Sequence, residues 1–234
     1  MKGAIDTSLL ALLRRYDTPT ICNAIEMVHG KRGFAGFTRT TVMASQPAAM
    51  PIVGFARTAS LRASEPPSAS PLEVRAKRMD YFRSMAEGPR PAVAVVGDLD
   101  YPNFVGAWWG EVHSVVHKGL KLEGALTNGL MRDLGEMDPD FPVLAGGIGP
   151  SHYFVHVAAI GEPVDLFGLT VRQDDLIHAD RHGAIVIPPD VLPELADAIV
   201  KPLVTENLIL GPARQPDFDF AKLEEAWGVF ETPE

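Results

Sequence analysis

A strand, a helix and a second strand follow one another in the middle of the chain, and this unit constrains the fold more than any other segment. Residues 91–96 (PAVAVV) form a short, wholly apolar run that ends at Gly97-Asp98, which is typical of a buried strand. Valines at helical spacing follow over residues 110–119, and residues 124–127 form a second buried run. The pattern predicts a strand–helix–strand unit.

Charged residues cluster where these two strands are expected to end. If the strands are parallel neighbours, residues 98–110 and 128–133 leave the sheet at the same end, which is the usual place for a ligand crevice. A divalent metal bound by oxygen ligands would suit such a cluster. The charged side chains expected to converge there are Glu111, Arg132, Asp133 and Glu136.

The remaining pattern places helices towards both ends of the chain and strands between them. Helical spacing covers residues 8–16, 20–28 and 72–86, and a further helix runs from Pro189 to Leu210. The β-rich runs are residues 40–44, 52–60, 142–145, 153–160, 163–171, 176–179 and 184–188. Residues 1–211 are predicted to form a single domain. The apolar tail, residues 212–234, is expected to dock on this domain or on a neighbouring subunit.

Composition and charge exclude several classes of protein. The chain has 234 residues, of which 46% are hydrophobic, so it can bury a substantial core. A net charge of -9 argues against a surface that binds nucleic acid. Cys22 is the only cysteine, and the apolar run near the N-terminus is interrupted by Arg14 and Arg15 before it could span a membrane. We therefore expect a cytoplasmic protein whose partners include neither nucleic acid nor a membrane.

The central charged residues also allow plainer interpretations. Arg132 and Asp133 could form only an ion pair, with Asp133 capping a short helix that follows it. Glu136 could be a solvated residue of that helix. Both interpretations compete with a metal site as long as the residues are considered alone.

The histidines and tryptophans of the same segment raise a second alternative. His113 and His117 have the i, i+4 spacing that can present two imidazoles to zinc, but without an HExxH pattern packing is favoured. Trp108 and Trp109 are favoured as core or interface residues. The chain contains no phosphate-binding loop, dinucleotide fingerprint or serine-hydrolase elbow.

Residues 106–133 (GAWWGEVHSVVHKGLKLEGALTNGLMRD) resemble the signature of the RraA-like family, which includes the class II 4-hydroxy-4-methyl-2-oxoglutarate and 4-carboxy-4-hydroxy-2-oxoadipate pyruvate aldolases. In the aldolases an acidic residue is followed by twenty residues, an Arg-Asp pair and a further acid. The matching residues here are Glu111, Arg132, Asp133 and Glu136. The first acid is usually aspartate, and the additional methylene of Glu111 extends its reach by about 1.5 Å.

The resemblance implies a layered α/β sandwich of the swivelling β/β/α type, assembled as homotrimers or dimers of trimers with active sites between subunits. It implies a Mg²⁺ or Mn²⁺ ion held by Asp133 together with waters, with Glu136 as a further candidate ligand. Arg132 would bind the keto acid and the charge that develops on it, and Glu111 would position a water for proton transfer. The backbone amides expected to hold the pyruvyl carboxylate are those of Gly110, Glu111, Val112 and His113.

The chemistry of the implied reaction explains why such residues are needed. Cleaving the C3–C4 bond of a 4-hydroxy-2-oxo acid leaves a pyruvate enolate, which a bound metal stabilises as a Lewis acid. The sequence thus predicts a divalent-metal-dependent lyase, with oxaloacetate decarboxylation as a side activity. Two alternatives remain: a non-enzymatic RraA-type regulator that inhibits an RNA-degrading enzyme through protein contacts, and a related enolate reaction on another keto or hydroxy acid.

Overall fold

The computed structural model describes residues 5–231, apart from the side chains of residues 203–205, and contains thirteen strands within that range. The ends of the expected domain and tail, residues 1–4 and 232–234, lie outside the described residues. In chain order the strands are β1 (Met43–Ala44), β2 (Ile52–Arg62), β3 (Ala92–Asp98), β4 (Ala107–Trp109), β5 (Leu122–Leu126), β6 (Leu130–Met131), β7 (Val143–Ala145), β8 (Gly147–Ile148), β9 (His156–Ile160), β10 (Val164–Leu166), β11 (Leu169–Val171), β12 (Leu176–Asp180) and β13 (Gly183–Ile187).

Eight of these strands form one mixed sheet. Its order is β1-β7-β5-β3-β2-β12-β13, and β9 also pairs with β2. The strands β7, β5, β3 and β2 are parallel, whereas β1, β9, β12 and β13 run antiparallel to their neighbours. The two strands of the central unit, β3 and β5, pair in parallel, which was the condition for the expected convergence of the segments that follow them.

Strand β3 is buried along its whole length because both faces of the sheet are covered. Ala92, Ala94 and Val96 face a core shared with the helical side, and Val93 and Val95 face a core on the opposite side. Alternate residues of a strand point to opposite faces, so a strand covered on both sides must be apolar throughout. This explains the unbroken run that the sequence shows at residues 91–96.

A second, three-stranded sheet lies beside the main one in the order β4-β6-β8, with all pairs parallel. The sequence patterns did not predict it, because its strands are only two or three residues long. The β-rich run predicted at residues 163–171 is confirmed, but it forms two strands instead of one. They make the hairpin β10–β11, which turns at Phe167 and Gly168 with positive φ values of 54° and 83°. The β-rich run at residues 40–44 pairs only over Met43–Ala44.

Six α-helices lie within the described residues, and most begin at a recognisable cap. Asp6 and Asp17 cap the first two helices, Ser70 and Glu73 form a capping box on the third, and Gly30 ends the second with a φ of 62°. The helices are α1 (Thr7–Arg15), α2 (Thr18–His29), α3 (Pro71–Ala86), α4 (Glu111–Gly119), α5 (Leu192–Ala213) and α6 (Phe220–Phe230), with a 3-10 turn at Pro189–Val191.

The helices cover the sheet in two groups. Helix α3 buries Tyr81 and Met85 against the core that also contains Trp109, whereas α1, α2 and α5 pack on β12 and β13. Helix α6 contacts α5, and its Phe220 and Trp227 remain exposed. Docking of the tail on a neighbouring subunit therefore stays a prediction. None of the helices within residues 5–231 has the length and apolar composition that a membrane span requires.

Candidate functional site

Arg132 and Asp133 directly follow β6, and β6 pairs in parallel with β4. The amide of Arg132 donates a hydrogen bond of 2.8 Å to the carbonyl of Trp109, the last residue of β4. Because both chain segments leave the small sheet in the same direction, Asp133 lies beside Gly110 and the first residue of α4. The predicted convergence of these two segments is found, but on the small sheet rather than at the ends of β3 and β5.

The Asp133 carboxylate lies at the N-terminus of α4. The Glu111 amide donates to its Oδ2 atom at 3.3 Å, and Nε of Arg132 lies 3.4 Å from the same oxygen. Oδ1 accepts no hydrogen bond from any residue between positions 5 and 231. Both side chains are 35% exposed, so a ligand from solvent can reach them. Asp133 has a φ of 54°, a left-handed conformation that aspartate tolerates better than most residues.

The first turn of α4 offers further donors next to this carboxylate. The first amides of a helix have no acceptor within it, and their partial positive charge favours anions. Glu111 donates to Asp133 and Ser114 donates to the Gly110 carbonyl at 3.0 Å, whereas the amides of Val112 and His113 have no acceptor in the described part of the chain. The amide of Gly110 likewise has no acceptor among residues 5–231, so these three amides could hold a substrate carboxylate.

Gly110 is required at this position because the Asp133 carboxylate occupies the space of a side chain. A Cβ atom built on Gly110 would lie 2.4 Å from Oδ2 of Asp133 and 3.2 Å from Cγ of Arg132. Both contacts are shorter than the van der Waals distance between such atoms. The close approach of the backbone to the carboxylate explains the glycine that precedes Glu111.

Gly110→Ala should therefore displace Asp133 while leaving the protein folded. We expect the pyruvate formation that the sequence predicts to fall about 100-fold, because a misplacement near 1 Å at a reacting centre has that effect. Steady-state kinetics with a thermal-unfolding control measure both properties. The matched control is Gly119→Ala at the other end of α4, where an added Cβ meets no atom within 4 Å. Equal activities of the two variants would contradict the assigned geometry.

The acidic side chains flanking this centre are more exposed. Glu111 and Glu136 are both exposed, and within residues 5–231 no hydrogen bond or ion pair involves either side chain. Glu136 lies in a turn, where its amide and that of Met137 donate to the Asp133 carbonyl at 3.0 and 2.9 Å. The alternative in which Asp133 caps a short helix after it is wrong, because a turn follows Asp133. Asp133 instead caps α4, which begins 22 residues earlier. The roles of Glu111 and Glu136 stay predictions.

The inner face of α4 packs against a buried layer of aromatic side chains. Trp108 and Trp109 belong to the core, which confirms the interpretation favoured from the sequence. His117 is fully buried, and its Nδ1 and Nε2 atoms are hydrogen-bonded to the His113 carbonyl and to the Tyr81 hydroxyl, each at 2.6 Å. Both ring nitrogens are therefore engaged, and no group of three or more His, Cys, Asp or Glu residues that could hold a metal occurs within residues 5–231.

Burial determines the charge of these histidines. Desolvation lowers the pKa of His117 to about 4 and that of His113 to about 3, and it also lowers the pKa of His178, whose ring lies between Thr18 and the Leu13 carbonyl. Burial raises the pKa of Tyr81, so its hydroxyl keeps its proton. The layer beneath α4 is thus neutral at physiological pH.

Acidification should destabilise the protein through these buried histidines before most carboxylates titrate. A pKa that is depressed on folding means that the unfolded chain binds the proton first, so stability is present above pH 6.5 and declines towards pH 4. Each such histidine should cost about 1.4 kcal/mol per pH unit in this window. Urea unfolding between pH 7.5 and 5 measures the slope, which should become shallower in His117→Asn. Stability independent of pH over this range would contradict the neutral buried state.

Sequence reasoning missed Ser114, which links α4 to the turn after Asp133. Its Oγ donates to the Glu111 carbonyl at 2.8 Å and accepts from the Asp138 amide at 3.0 Å. Tyr81 was also missed, since it lies 36 residues before His117. Neither residue has a spacing signal, because the contacts arise only when distant segments pack together.

Comparison with known proteins assigns the chain to a family. A family model described as RraA-like, Aldolase/RraA, matches residues 18–186. The chain belongs to the RraA-like family. The matched range of this RraA-like chain contains the whole candidate site, from Gly110 to Glu136.

Solved structures show the same fold at low identity. An uncharacterized protein from Pseudomonas syringae pv. tomato is 18% identical with a TM-score of 0.70, covering 96% of this chain and 99% of its own. Streptomyces coelicolor RraAS2, described as an unusual member of the RNase ES inhibitor RraA protein family, is 21% identical with a TM-score of 0.67, covering 88% and 97%. The predicted layered β/β/α fold of the RraA-like type is confirmed.

One curated relative matches over a shorter stretch. Protein DlpA of Legionella pneumophila is 29% identical over 106 residues, which make up 43% of this RraA-like chain and 17% of DlpA. The aligned segment thus spans less than a fifth of that protein.

Proposed function

We propose that this protein is a divalent-metal-dependent lyase that cleaves a 4-hydroxy-2-oxo acid to pyruvate. The observation that supports this proposal most strongly is the Asp133 carboxylate, fixed at the N-terminus of α4 by the Glu111 amide with the Arg132 guanidinium beside it. A carboxylate, a cation and free helix amides together suit a substrate that carries both a carboxylate and a keto oxygen. Membership of the Aldolase/RraA family supports the same reaction class.

The donor set fits Mg²⁺ or Mn²⁺. Magnesium is usually bound through one or two carboxylates, with the remaining positions taken by waters and substrate. Oδ1 of Asp133 has no partner among the described residues, so it is the atom of this chain that would hold the ion. Glu136 is the second candidate ligand. The ion would supply Lewis-acid stabilisation of the substrate's keto oxygen.

The chain's own residues would bind and orient the substrate. The amides of Val112 and His113 would donate to the pyruvyl carboxylate, and the Arg132 guanidinium would lie against the charge that develops on the keto oxygen. Glu111 would orient the water that carries a proton away from the 4-hydroxyl group and later to C3. Enzymes remove roughly 8 kcal/mol or more from a barrier, while one preorganised donor supplies about 3–4, so several such contacts are needed.

The same arrangement should accept oxaloacetate, because loss of CO₂ from this acid also leaves the pyruvate enolate. Decarboxylation is therefore the expected side activity. Glu111 replaces the aspartate usual in the aldolases. Its longer side chain would affect which 4-hydroxy-2-oxo acid is cleaved, through the part of the substrate that is released together with pyruvate. A related enolate reaction on another keto or hydroxy acid would use the same atoms.

A neighbouring subunit would complete this site under the proposal. Val112 and Val115 are 67% and 51% exposed on α4, the helix whose N-terminus Asp133 caps, which supports coverage by another chain. The expected assembly is a homotrimer or a dimer of trimers.

A coupled pyruvate assay across a small panel of 4-hydroxy-2-oxo acids and oxaloacetate tests the proposed function. Pyruvate should appear with Mg²⁺ or Mn²⁺ and should fall to background when a chelator is added. Turnover that persists in chelator would contradict the metal requirement. No pyruvate from any acid would instead favour the alternative, a regulator that inhibits an RNA-degrading enzyme by protein contact.

A further inference from the structure

We infer that Tyr81 and His117 are positioning residues, which hold the first turn of α4 in the geometry that presents its amides and Asp133 to the substrate. This inference rests on the proposed function for its catalytic consequence. Its structural part concerns only contacts within this chain. Neither residue touches the solvent-exposed centre, so both would act through the helix.

The hydrogen bonds of His117 define its tautomer. A carbonyl oxygen can only accept, so Nδ1 of His117 must carry the proton that is donated to the His113 carbonyl at 2.6 Å. In the neutral ring Nε2 is then an acceptor, and the Tyr81 hydroxyl donates to it at 2.6 Å. The direction of both hydrogen bonds thus follows from the carbonyl acceptor and the neutral ring. The two side chains thus connect α3 to the first turn of α4.

The connection continues from His113 to Asp133 through two peptide groups. The peptide that carries the His113 carbonyl also carries the Ser114 amide, which donates to the Gly110 carbonyl at 3.0 Å. The peptide that carries the Gly110 carbonyl also carries the Glu111 amide, which donates to Asp133. Tilting either peptide would move both of its groups, because the peptide unit is planar.

Burial and close ring packing hold this hydrogen-bonded link in place. Tyr81 and His117 are both fully buried, and the rings of Trp109 and Phe141 lie 4.7 and 6.1 Å from the His117 ring. A buried hydrogen-bonding group that loses its partner cannot find water, so the ring must shift to recover one. Removing the Tyr81 hydroxyl should therefore displace His117 and the carbonyl that it holds.

Tyr81→Phe removes the hydroxyl and keeps the ring, and Met85→Leu is the matched control one turn further along α3. Met85 is equally buried and forms no hydrogen bond to His117. We expect kcat for pyruvate formation to fall about tenfold in Tyr81→Phe and to change less than twofold in Met85→Leu. Oxalate, a planar mimic of the pyruvate enolate, should bind Tyr81→Phe in the presence of Mn²⁺ about tenfold more weakly by calorimetry.

Two further variants distinguish the role of Nδ1 of His117 from that of Nε2. The amide nitrogen of asparagine can replace Nδ1, so His117→Asn should recover more activity than His117→Leu.

Amide hydrogen exchange at Glu111 and Ser114 needs neither substrate nor metal, and it should be about tenfold faster in Tyr81→Phe than in wild type or Met85→Leu. Unchanged exchange would overturn the inference even if the enzyme is active. Faster exchange in a protein that forms no pyruvate would support the link and count against the proposed function alone.

Discussion

Asp133→Asn should reduce pyruvate formation at least 1,000-fold while the protein remains folded. Asparagine has almost the same shape and can still accept the hydrogen bond from the Glu111 amide, so α4 should keep its cap. What is lost is the negative charge that would hold the divalent ion, and the contribution of such an ion to transition-state stabilisation is several kcal/mol. A 1,000-fold loss corresponds to about 4 kcal/mol. Steady-state kinetics at saturating Mg²⁺, together with a thermal melt, measure the effect.

Asp140→Asn provides the control for this variant. Asp140 is an exposed carboxylate that pairs with Lys118, and it follows Asp133 in the same loop. Its substitution removes the same charge from the protein without touching the site, so activity should stay within twofold of wild type. If Asp133→Asn kept more than a tenth of the wild-type rate, the carboxylate could not be the residue that holds the ion.

Arg132→Lys should lower kcat about 100-fold or more. The guanidinium is planar, and its Nε faces Oδ2 of Asp133. The side chain is one-third exposed and its terminal nitrogens have no partner among the described residues, so they can bind a substrate oxygen. Lysine keeps the positive charge but cannot present two parallel N–H groups to a carboxylate or enolate. The loss should appear mainly in kcat, because the charge on the keto oxygen develops in the transition state.

Arg83→Lys is the control for the arginine substitution. Arg83 is exposed on α3, where it pairs with Asp80 three residues earlier. This variant should have wild-type kinetics. If Arg132→Lys raised KM with kcat unchanged, Arg132 would bind the substrate and the transition state equally well. It would then not stabilise the transition state selectively.

The sequence was sufficient to predict the elements that have a clear periodicity. The apolar run of β3 and the spaced valines of α4 each reflect a burial pattern that repeats along one element, so both were found close to their true ends. The parallel pairing of β3 and β5 could only be assumed from the sequence, and the structure has it. The spacing between Glu111 and the Arg132-Asp133 pair indicated a candidate site, and the structure places Asp133 at the Glu111 amide with Arg132 beside it. The catalytic roles of these residues stay predictions.

The small sheet could not be predicted, although it positions that site. Strands β4, β6 and β8 are two or three residues long, so they are too short to show the alternation that identifies a strand. Their pairing depends on contacts between distant segments, such as the Arg132 amide with the Trp109 carbonyl. The close fit of Gly110 against Asp133 arises from the same pairing and leaves no local signal except the glycine itself.

The buried link between Tyr81 and His117 has the same origin. The i, i+4 spacing of His113 and His117 drew attention to a metal pair, but tertiary packing directs the His117 ring towards a tyrosine on another helix. Spacing along a helix fixes which side chains share a face, and it does not fix what that face contacts. The partner of each polar group became visible only with the fold.

Exchange of the pyruvate methyl protons with D₂O, followed by proton NMR, tests the central claim most directly. A site that stabilises the pyruvate enolate and orients a water at Glu111 to take and return a proton should exchange these protons, whichever 4-hydroxy-2-oxo acid is the natural substrate. We predict exchange that requires Mg²⁺ or Mn²⁺, stops with a chelator and is lost in Asp133→Asn. No exchange above the uncatalysed rate, or exchange that is equal in Asp133→Asn, would contradict an enolate-stabilising site at Asp133 and Arg132.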